Sequence, residues 1–473
     1  MAITSLAFVG FAAFVLVIYY LLPRRPQNYW LLAASYAFYV TWAWEFAVVL
    51  TLLILVNFGL AKAIQGRSAH KRLLLWIGIG FNVLALAFFK YADFFVPEMV
   101  ARQQQANGQM AGGGFRLLLP IGLSFMILEG ISYLVDVYRD QVQAASDLVD
   151  FALYLAYFPK LLSGPIERYR SFSPKLAQPR VVDNETLARS FMLIVVGLVR
   201  KLVVADLLLL LIPKEIVLTP GEFDASRVAL WLIAYGFWLY NDFAGYTSMV
   251  RGLSGLFGIE LSPNFQIPYF ARNFTEFWNR WHITLSHWLR DYIYFPLSRA
   301  LLRRNPSRRN LLNLILPPIA TMLISGLWHE ASLFLLIWGA LHGVYQIVER
   351  LPSLWRPVVP PDKWPLWRQG IAVVGVVVLA LLAWIPFGVG VSDTPIYWRD
   401  SPDKISSAGL DSRLLVTMVP GIWLDWVQYR RGEFAFLRWP RLARATLLAF
   451  AFLAVLGALQ IAATPPPFVY QGF

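Results

Sequence analysis

The sequence contains no cysteine. That excludes disulfides, thiolate metal sites and a cysteine nucleophile, and says little about compartment. Charge is scarce as well: Asp, Glu, Lys and Arg make up 15% of 473 residues, against about a quarter in a soluble domain. Only five histidines occur, with no HxxxH or HxxE pair. Zinc wants about three or four ligands, so no metal site is expected. A phosphate-cradling glycine loop and a Gly-x-Ser-x-Gly elbow are also missing. Ser163-Gly164-Pro165 is a turn, not a nucleophile elbow. No internal repeat is visible, which weakens an inverted-repeat transporter, and no polar stretch is long enough to fold alone.

Apolar side chains are what the chain has in excess. They make up 58% of it, aromatic residues 16%, and mean hydropathy is positive. The apolar runs approach spanning length without the alternation of barrel strands. The expectation is an all-α polytopic membrane protein, a single membrane-embedded domain over residues 1–473. Spans are expected at 5–22, 29–42, 44–63, 73–95, 116–136, 188–211, 227–250, 311–328, 331–348, 369–388, 412–427 and 446–463, giving eleven or twelve crossings. Met1 to Leu22 has no basic n-region, and Arg24 and Arg25 follow it. It therefore reads as a first transmembrane helix with its N-terminus outside, not a cleavable signal. Phe151 to Gly164 is too short to cross and ends in a breaker pair, so a re-entrant helix is expected there. Residues 101–114 read as a flexible outer loop.

The net charge of +13 falls between the apolar runs. It reads as cytoplasmic loops rich in Lys and Arg rather than as a nucleic-acid surface. Lys62, Arg67, Lys71 and Arg72 mark one such loop, and Lys160, Arg168, Arg170, Lys175 and Arg180 another. Arg350, Arg356, Lys363 and Arg368 mark a third, and Arg430, Arg431, Arg438, Arg441 and Arg444 a fourth. The loop after 388 mixes Asp393, Asp400, Asp403 and Asp411 with few bases, which suits the outside. The stretch 251–310 stands apart: nine arginines and no lysine face Glu260, Glu276 and Asp291, a net +6. Trp278, Trp281 and Trp288 are interleaved with them. That pattern suits helices lying in or dipping into the interface. Such a stretch either anchors on anionic lipid or forms a floor that attracts an anionic cytoplasmic substrate.

Two histidines sit where they are costly. His329 closes the uncharged run from Ile319, beside Ser325, Gly326 and Trp328. An ionisable group at membrane depth is a functional candidate by default, and histidine changes charge most easily near neutral pH. His282 lies among Trp278, Arg280 and Trp281; on a helix, Trp278 and Ser286 would share its face. Asp291 follows His287 by four residues, so those two are expected to pair. His342 is expected to pack and His70 to be solvated. Other polar groups at membrane depth are Tyr235, Trp238, Tyr240, Asn241, Asp242 and Tyr246 in one span, and Glu129, Tyr133 and Asp136 in another. They line a water-filled path to the histidines or act as polar glue between helices.

Phe277-Trp-Asn-Arg-Trp-His-Ile-Thr-Leu-Ser-His-Trp-Leu-Arg-Asp-Tyr-Ile-Tyr-Phe-Pro-Leu resembles the signature of the membrane-bound O-acyltransferase family. So do Ser325-Gly-Leu-Trp-His and Trp338-Gly-Ala-Leu-His-Gly. Phe89-Lys-Tyr, Pro120-Ile-Gly-Leu-Ser-Phe, Ile131-Ser-Tyr-Leu-Val-Asp-Val-Tyr-Arg, Ser163-Gly-Pro-Ile and Asn241-Asp-Phe-Ala-Gly-Tyr match in order along most of the chain. The ending Pro467-Phe-Val-Tyr-Gln-Gly-Phe resembles the alginate O-acetyltransferase-like branch rather than the branch that transfers D-alanine to teichoic acids. Two positions depart from the family pattern: Glu330 stands where Gly is usual, and Glu129 where Gln is usual. A Glu330 facing the cavity would raise the pKa of His329.

The resemblance implies helices around a central tunnel in a bacterial cytoplasmic membrane, with no bound cofactor. A cytoplasmic thioester, acetyl-coenzyme A or a loaded carrier, would dock on the basic floor. His329 would act as general base on an acceptor hydroxyl, and His282 would orient or polarise the thioester carbonyl. Backbone N–H groups or Asn241 would stabilise the oxyanion. Asp242, Tyr246, Arg280, Trp281, Ser325, Trp328, Glu129 and Tyr133 are the candidate donor path. A separate extracytoplasmic acetyl-carrying partner and a glycan acceptor complete the scheme. The rivals are D-alanyl transfer from a carrier protein, a transporter or flippase working without an acyl donor, and a non-catalytic scaffold.

Overall fold

The structure is a computed structural model that describes residues 1–66, 69–90, 119–180, 182–212, 224–307, 310–355, 357, 359–392 and 410–461. The expected outer loop at 101–114, the acidic stretch from Asp393, Arg308, Arg309, Arg356 and the C-terminal Pro467 to Phe473 lie outside them. Among the described residues there are eighteen α-helices and no strand. Each of the twelve expected spans falls on a helix. Five helices are long and apolar enough to cross a membrane by length and composition, and together with the composition they make this a membrane protein. The described residues group into two compact units.

The first unit, Met1–Asp183 with Ser254–Leu261, begins with α1 (Leu6–Leu21), α2 (Arg24–Val40), α3 (Trp44–Gly66) and α4 (Lys71–Lys90). Ser5 caps α1 by accepting from the Phe8 N–H at 3.2 Å, a contact typical of helix starts. One stripe of α1, Phe8, Ala12, Val15 and Tyr19, is buried, while Leu6, Phe14, Val17 and Leu21 are exposed. An apolar face left bare in this way suits lipid rather than water. α2 starts five residues before the expected 29 because Pro26 falls in its first turn, where no intrahelical N–H bond is lost.

α5 (Leu123–Tyr138) is buried on every side from Leu123 to Val137. It starts at Gly122, whose φ of +81° and whose 2.2 Å from a would-be Cβ to the Leu161 carbonyl oxygen leave room for glycine alone. α6 (Leu148–Ala156) follows, then α7 (Tyr169–Ala177). The expected re-entrant helix through Gly164 thus stops at Ala156, and residues 157–167 continue as buried non-helical chain. Pro159 supplies the reason: it offers no N–H and disfavours helical geometry at the residue before it.

The second unit, Asn184–Leu253 with 262–472, opens with α8 (Asn184–Leu198). This runs without a break into a π-helical stretch, Val199–Asp206, and then α9 (Leu207–Leu211). α10 (Ala225–Leu256) is the longest helix, at 32 residues. Next come α11 (Phe274–Arg280), α12 (Ile283–Leu289), a π turn at Arg290–Tyr294 and α13 (Phe295–Arg304). α14 (Leu311–His329) and α15 (Leu333–Arg350) form a tight hairpin capped by Asn310 and Ser332. A Cβ on Gly326 would lie 2.2 Å from the Leu335 carbonyl oxygen, and one on Gly339 would lie 2.4 Å from that of Met322. Small residues let the two backbones touch, as membrane helices commonly do. α16 (Leu366–Ser392), α17 (Leu410–Arg431) and α18 (Arg441–Ile461) complete the unit.

Candidate active site

His282 does not ride on a continuous helix. α11 ends at Arg280, Trp281 is extended, and His282 takes φ 40°, ψ 55° before α12 begins at Ile283. The shared face with Trp278 and Ser286 is therefore lost, and the Ser286 hydroxyl instead donates to the Trp281 carbonyl at 3.0 Å. A left-handed residue other than glycine is costly and persists only where its surroundings over-determine it. Here Asn264 does so. Its backbone carbonyl accepts from the Ile283 N–H at 2.9 Å. Its side-chain oxygen accepts from the Thr284 N–H at 3.1 Å and from the Thr284 hydroxyl at 2.8 Å. The same oxygen lies 3.3 Å from His282 Nδ1.

A backbone N–H can only donate, so the Asn264 atom facing Thr284 is Oδ1. His282 Nδ1 must then carry the ring proton, which leaves Nε2 with its lone pair. Burial pushes this imidazole down to about 3, so the ring is neutral. A neutral ring in this tautomer accepts at Nε2. Asn264 escaped sequence reasoning; its one visible signal was an amide directly after Pro263 and before Phe265.

His329 is the last residue of α14 and is 3% exposed. Three rings wall it in: Trp328 at 4.8 Å, Phe387 at 5.3 Å and Trp338 at 5.4 Å between centroids. Ser325, one turn earlier, is fully buried. Trp328 also lies 6.3 Å from the His282 ring, so the two histidines pack against one indole. α14 rises about 27 Å from Leu311 to His329 at 1.5 Å per residue. The basic α13 meets the Leu311 end, where Asn313 donates to the Asn305 carbonyl at 3.0 Å. The chain around His282 therefore reaches the opposite end of α14, the His329 end.

The other candidates divide. Arg280 lines a cavity of about 520 Å³ with Arg200, Tyr240, Phe265, Gln266 and Asn279. Phe265 and Phe243 are 5.1 Å apart, and Phe243 is 4.8 Å from His282, so two rings join cavity wall to histidine. Trp281 stacks on Phe277 at 5.7 Å and meets Trp384 at 4.8 Å. Tyr246 is buried on α10. Asn241 accepts from Arg200 at 2.9 Å and donates to the Phe237 carbonyl at 2.8 Å. Asp242 accepts from Lys201 at 2.6 Å, and Arg200 also reaches Asp425 at 2.5 Å. These two are engaged in a buried ion network built on the π stretch. Glu129 and Tyr133 belong to the first unit. There Glu129 pairs with Lys160 at 2.5 Å and accepts from the Glu167 N–H, and Tyr133 accepts from the Ala145 N–H.

The basic floor is partly neutralised. Arg251 pairs with Glu433, Arg272 with Glu276 and Arg290 with Asp291, while Arg299, Arg303 and Arg304 on α13 are exposed. His287 lines a smaller cavity of about 320 Å³. His342 is fully buried between Trp278 and Trp338, at 5.1 and 5.0 Å. Glu330 sits just past the end of α14 in an extended conformation. Among the described residues no cluster of three or more His, Asp or Glu can hold a metal.

A buried histidine closes α14 at Ser325-Gly-Leu-Trp-His, and a second histidine packs on the same indole. The model of the membrane-bound O-acyltransferase family matches residues 138–389. The chain belongs to this family. The probable alginate O-acetylase AlgI of Azotobacter vinelandii is 34% identical over 82% of this chain and 74% of its own length. The peptidoglycan O-acetyltransferase of Helicobacter pylori is 32% identical over 74% of this chain and 69% of its own. The teichoic acid D-alanyltransferase of Streptococcus thermophilus is 29% identical over 49% of this chain and 57% of its own. As a membrane-bound O-acyltransferase of the AlgI-like branch, the protein is an acyltransferase that works from within a membrane.

Proposed function

We propose that the protein moves an acetyl group from a cytoplasmic thioester, acetyl-coenzyme A or a loaded carrier, to a hydroxyl of an extracytoplasmic glycan in a bacterial inner membrane. The observation that carries the reading is the shared Trp328: it joins His282, next to the arginine-lined cavity, to His329 at the far end of α14. The donor enters by that cavity and lays its thioester across the indole. The acceptor oxygen bonds to the carbonyl carbon while His329 takes the hydroxyl proton. The tetrahedral oxyanion then collapses, the carbon–sulfur bond breaks, and the departing thiolate takes the proton back from His329. General-base help of this kind is worth about 10²–10⁴ in rate. His282, with Nε2 as an acceptor, fixes an N–H of the donor arm.

The acceptor arrives from outside, handed on by a separate acetyl-carrying protein. Acetylating relatives match along most of their length, and the D-alanyl relative along about half, which favours acetyl. Purified protein in lipid discs, given labelled acetyl donor and acceptor glycan, is expected to pass label on. His329→Ala is expected to abolish transfer while the protein still folds. Full transfer by that variant would remove His329 from the chemistry. Loss of D-alanyl esters, with acetyl esters intact, in the wall of a deletion strain would establish the rival substrate.

A further inference from the structure

Acyl transfer needs a donor aimed at the oxygen that becomes negative in the transition state. Asn241, the sequence's first candidate, is spent: its amide nitrogen donates to the Phe237 carbonyl and its oxygen accepts from Arg200. Asn264 is different. Its side-chain oxygen is held by Thr284 and His282, which fixes the amide plane. The residue is 1% exposed, and among the described residues its amide nitrogen Nδ2 has no hydrogen-bond partner. A buried donor left unmade carries its full desolvation penalty, and such a cost is tolerated where a ligand satisfies the group. The next residue, Phe265, lines the 520 Å³ cavity, and His282 packs on the indole that also touches His329.

We propose that Asn264 is a catalytic residue: its Nδ2–H donates to the thioester carbonyl oxygen and holds the oxyanion when the acceptor oxygen adds. His282 is then a positioning residue, since its Nδ1–H helps hold the Asn264 oxygen in place. The inference rests on the acetyl-transfer reading above. The bond changes are those of that reading; Asn264 adds one hydrogen bond and gains or loses no proton.

Asn264→Asp separates the catalytic role from a structural one. Asp keeps the oxygen that accepts from Thr284 and His282 but removes the N–H donor, whereas Asn264→Ala removes both. Purified variants in lipid discs are compared for melting temperature and for kcat and KM with labelled acetyl donor. The expected result is Asn264→Asp folded but melting somewhat lower, because its carboxyl is buried, with kcat down about 10²–10³-fold and KM little changed, and Asn264→Ala also melting lower. Binding gives a second readout. Wild type is expected to hold acetyl-coenzyme A more tightly than its S-ethyl thioether analogue, which lacks the carbonyl, and Asn264→Asp to hold the two alike. A folded Asn264→Asp with wild-type kcat would overturn the proposal. Wild type that transfers no acetyl at all would instead overturn the reading beneath it.

Discussion

At the residue scale, the site depends on which histidine can exchange a proton. His329→Gln keeps size and polarity but has no base, so kcat is expected to fall about 10²–10⁴-fold, measured by label transfer at saturating donor. His282 behaves differently. Its folded pKa is pushed down to about 3, below the ordinary value of about 6.5, so the unfolded chain binds the proton more readily. Its contribution to stability is full above about pH 6.5 and is lost as pH falls toward 3. Between pH 7 and 5, wild type is therefore expected to lose more melting temperature than His282→Asn, and equal losses would refute the buried neutral ring. The cost of His282 and His329 in apolar surroundings was legible from sequence. The tautomer was not, because it depends on Asn264, eighteen residues away and brought close only by a helix break.

At the element scale, run length located the twelve long helices among the described residues, since lipid-facing and core-facing sides are both apolar and leave unbroken runs. Short buried elements were harder. Pro159 ended α6 early, and a helical pattern hid the break at Trp281 and His282 because its residues also suit a helix. Arg200 and Lys201 sit in the middle of an apolar run, but their partners Asn241, Asp242 and Asp425 are set by packing. No spacing rule joins residues 41 or more positions apart. The α14–α15 hairpin carries His329 and depends on contact without side chains. In Gly339→Val the added Cβ would meet the Met322 carbonyl at 2.4 Å. Overpacking of this kind costs about 1–3 kcal/mol or more, and the moved helix end would also shift Trp338 against His329. Lower melting temperature together with lower kcat is expected. Unchanged kcat would mean that the hairpin tolerates separation.

At the scale of the whole molecule, the scheme stands or falls on orientation. A thioester donor is cytoplasmic, so the arginine-rich stretch and the cavity beside it must face that side, as the distribution of Lys and Arg suggests. The chain's lack of cysteine makes this directly measurable, because a single introduced thiol is the sole target for a membrane-impermeant maleimide. On the proposed orientation, with the N-terminus and the acidic loop after 388 outside, Ala2→Cys and Ser401→Cys are expected to label in intact spheroplasts. Ser307→Cys, between α13 and α14, is expected to label only after lysis. Ala2 and Ser307 lie outside the helices, and acetyl transfer should persist in all three variants and confirm native folding. Labelling of Ser307→Cys in sealed cells, with protection of the other two, would invert the molecule. The arginines would then face outward, no cytoplasmic thioester would reach His282, and the acetyl-transfer path proposed here would have to run the other way.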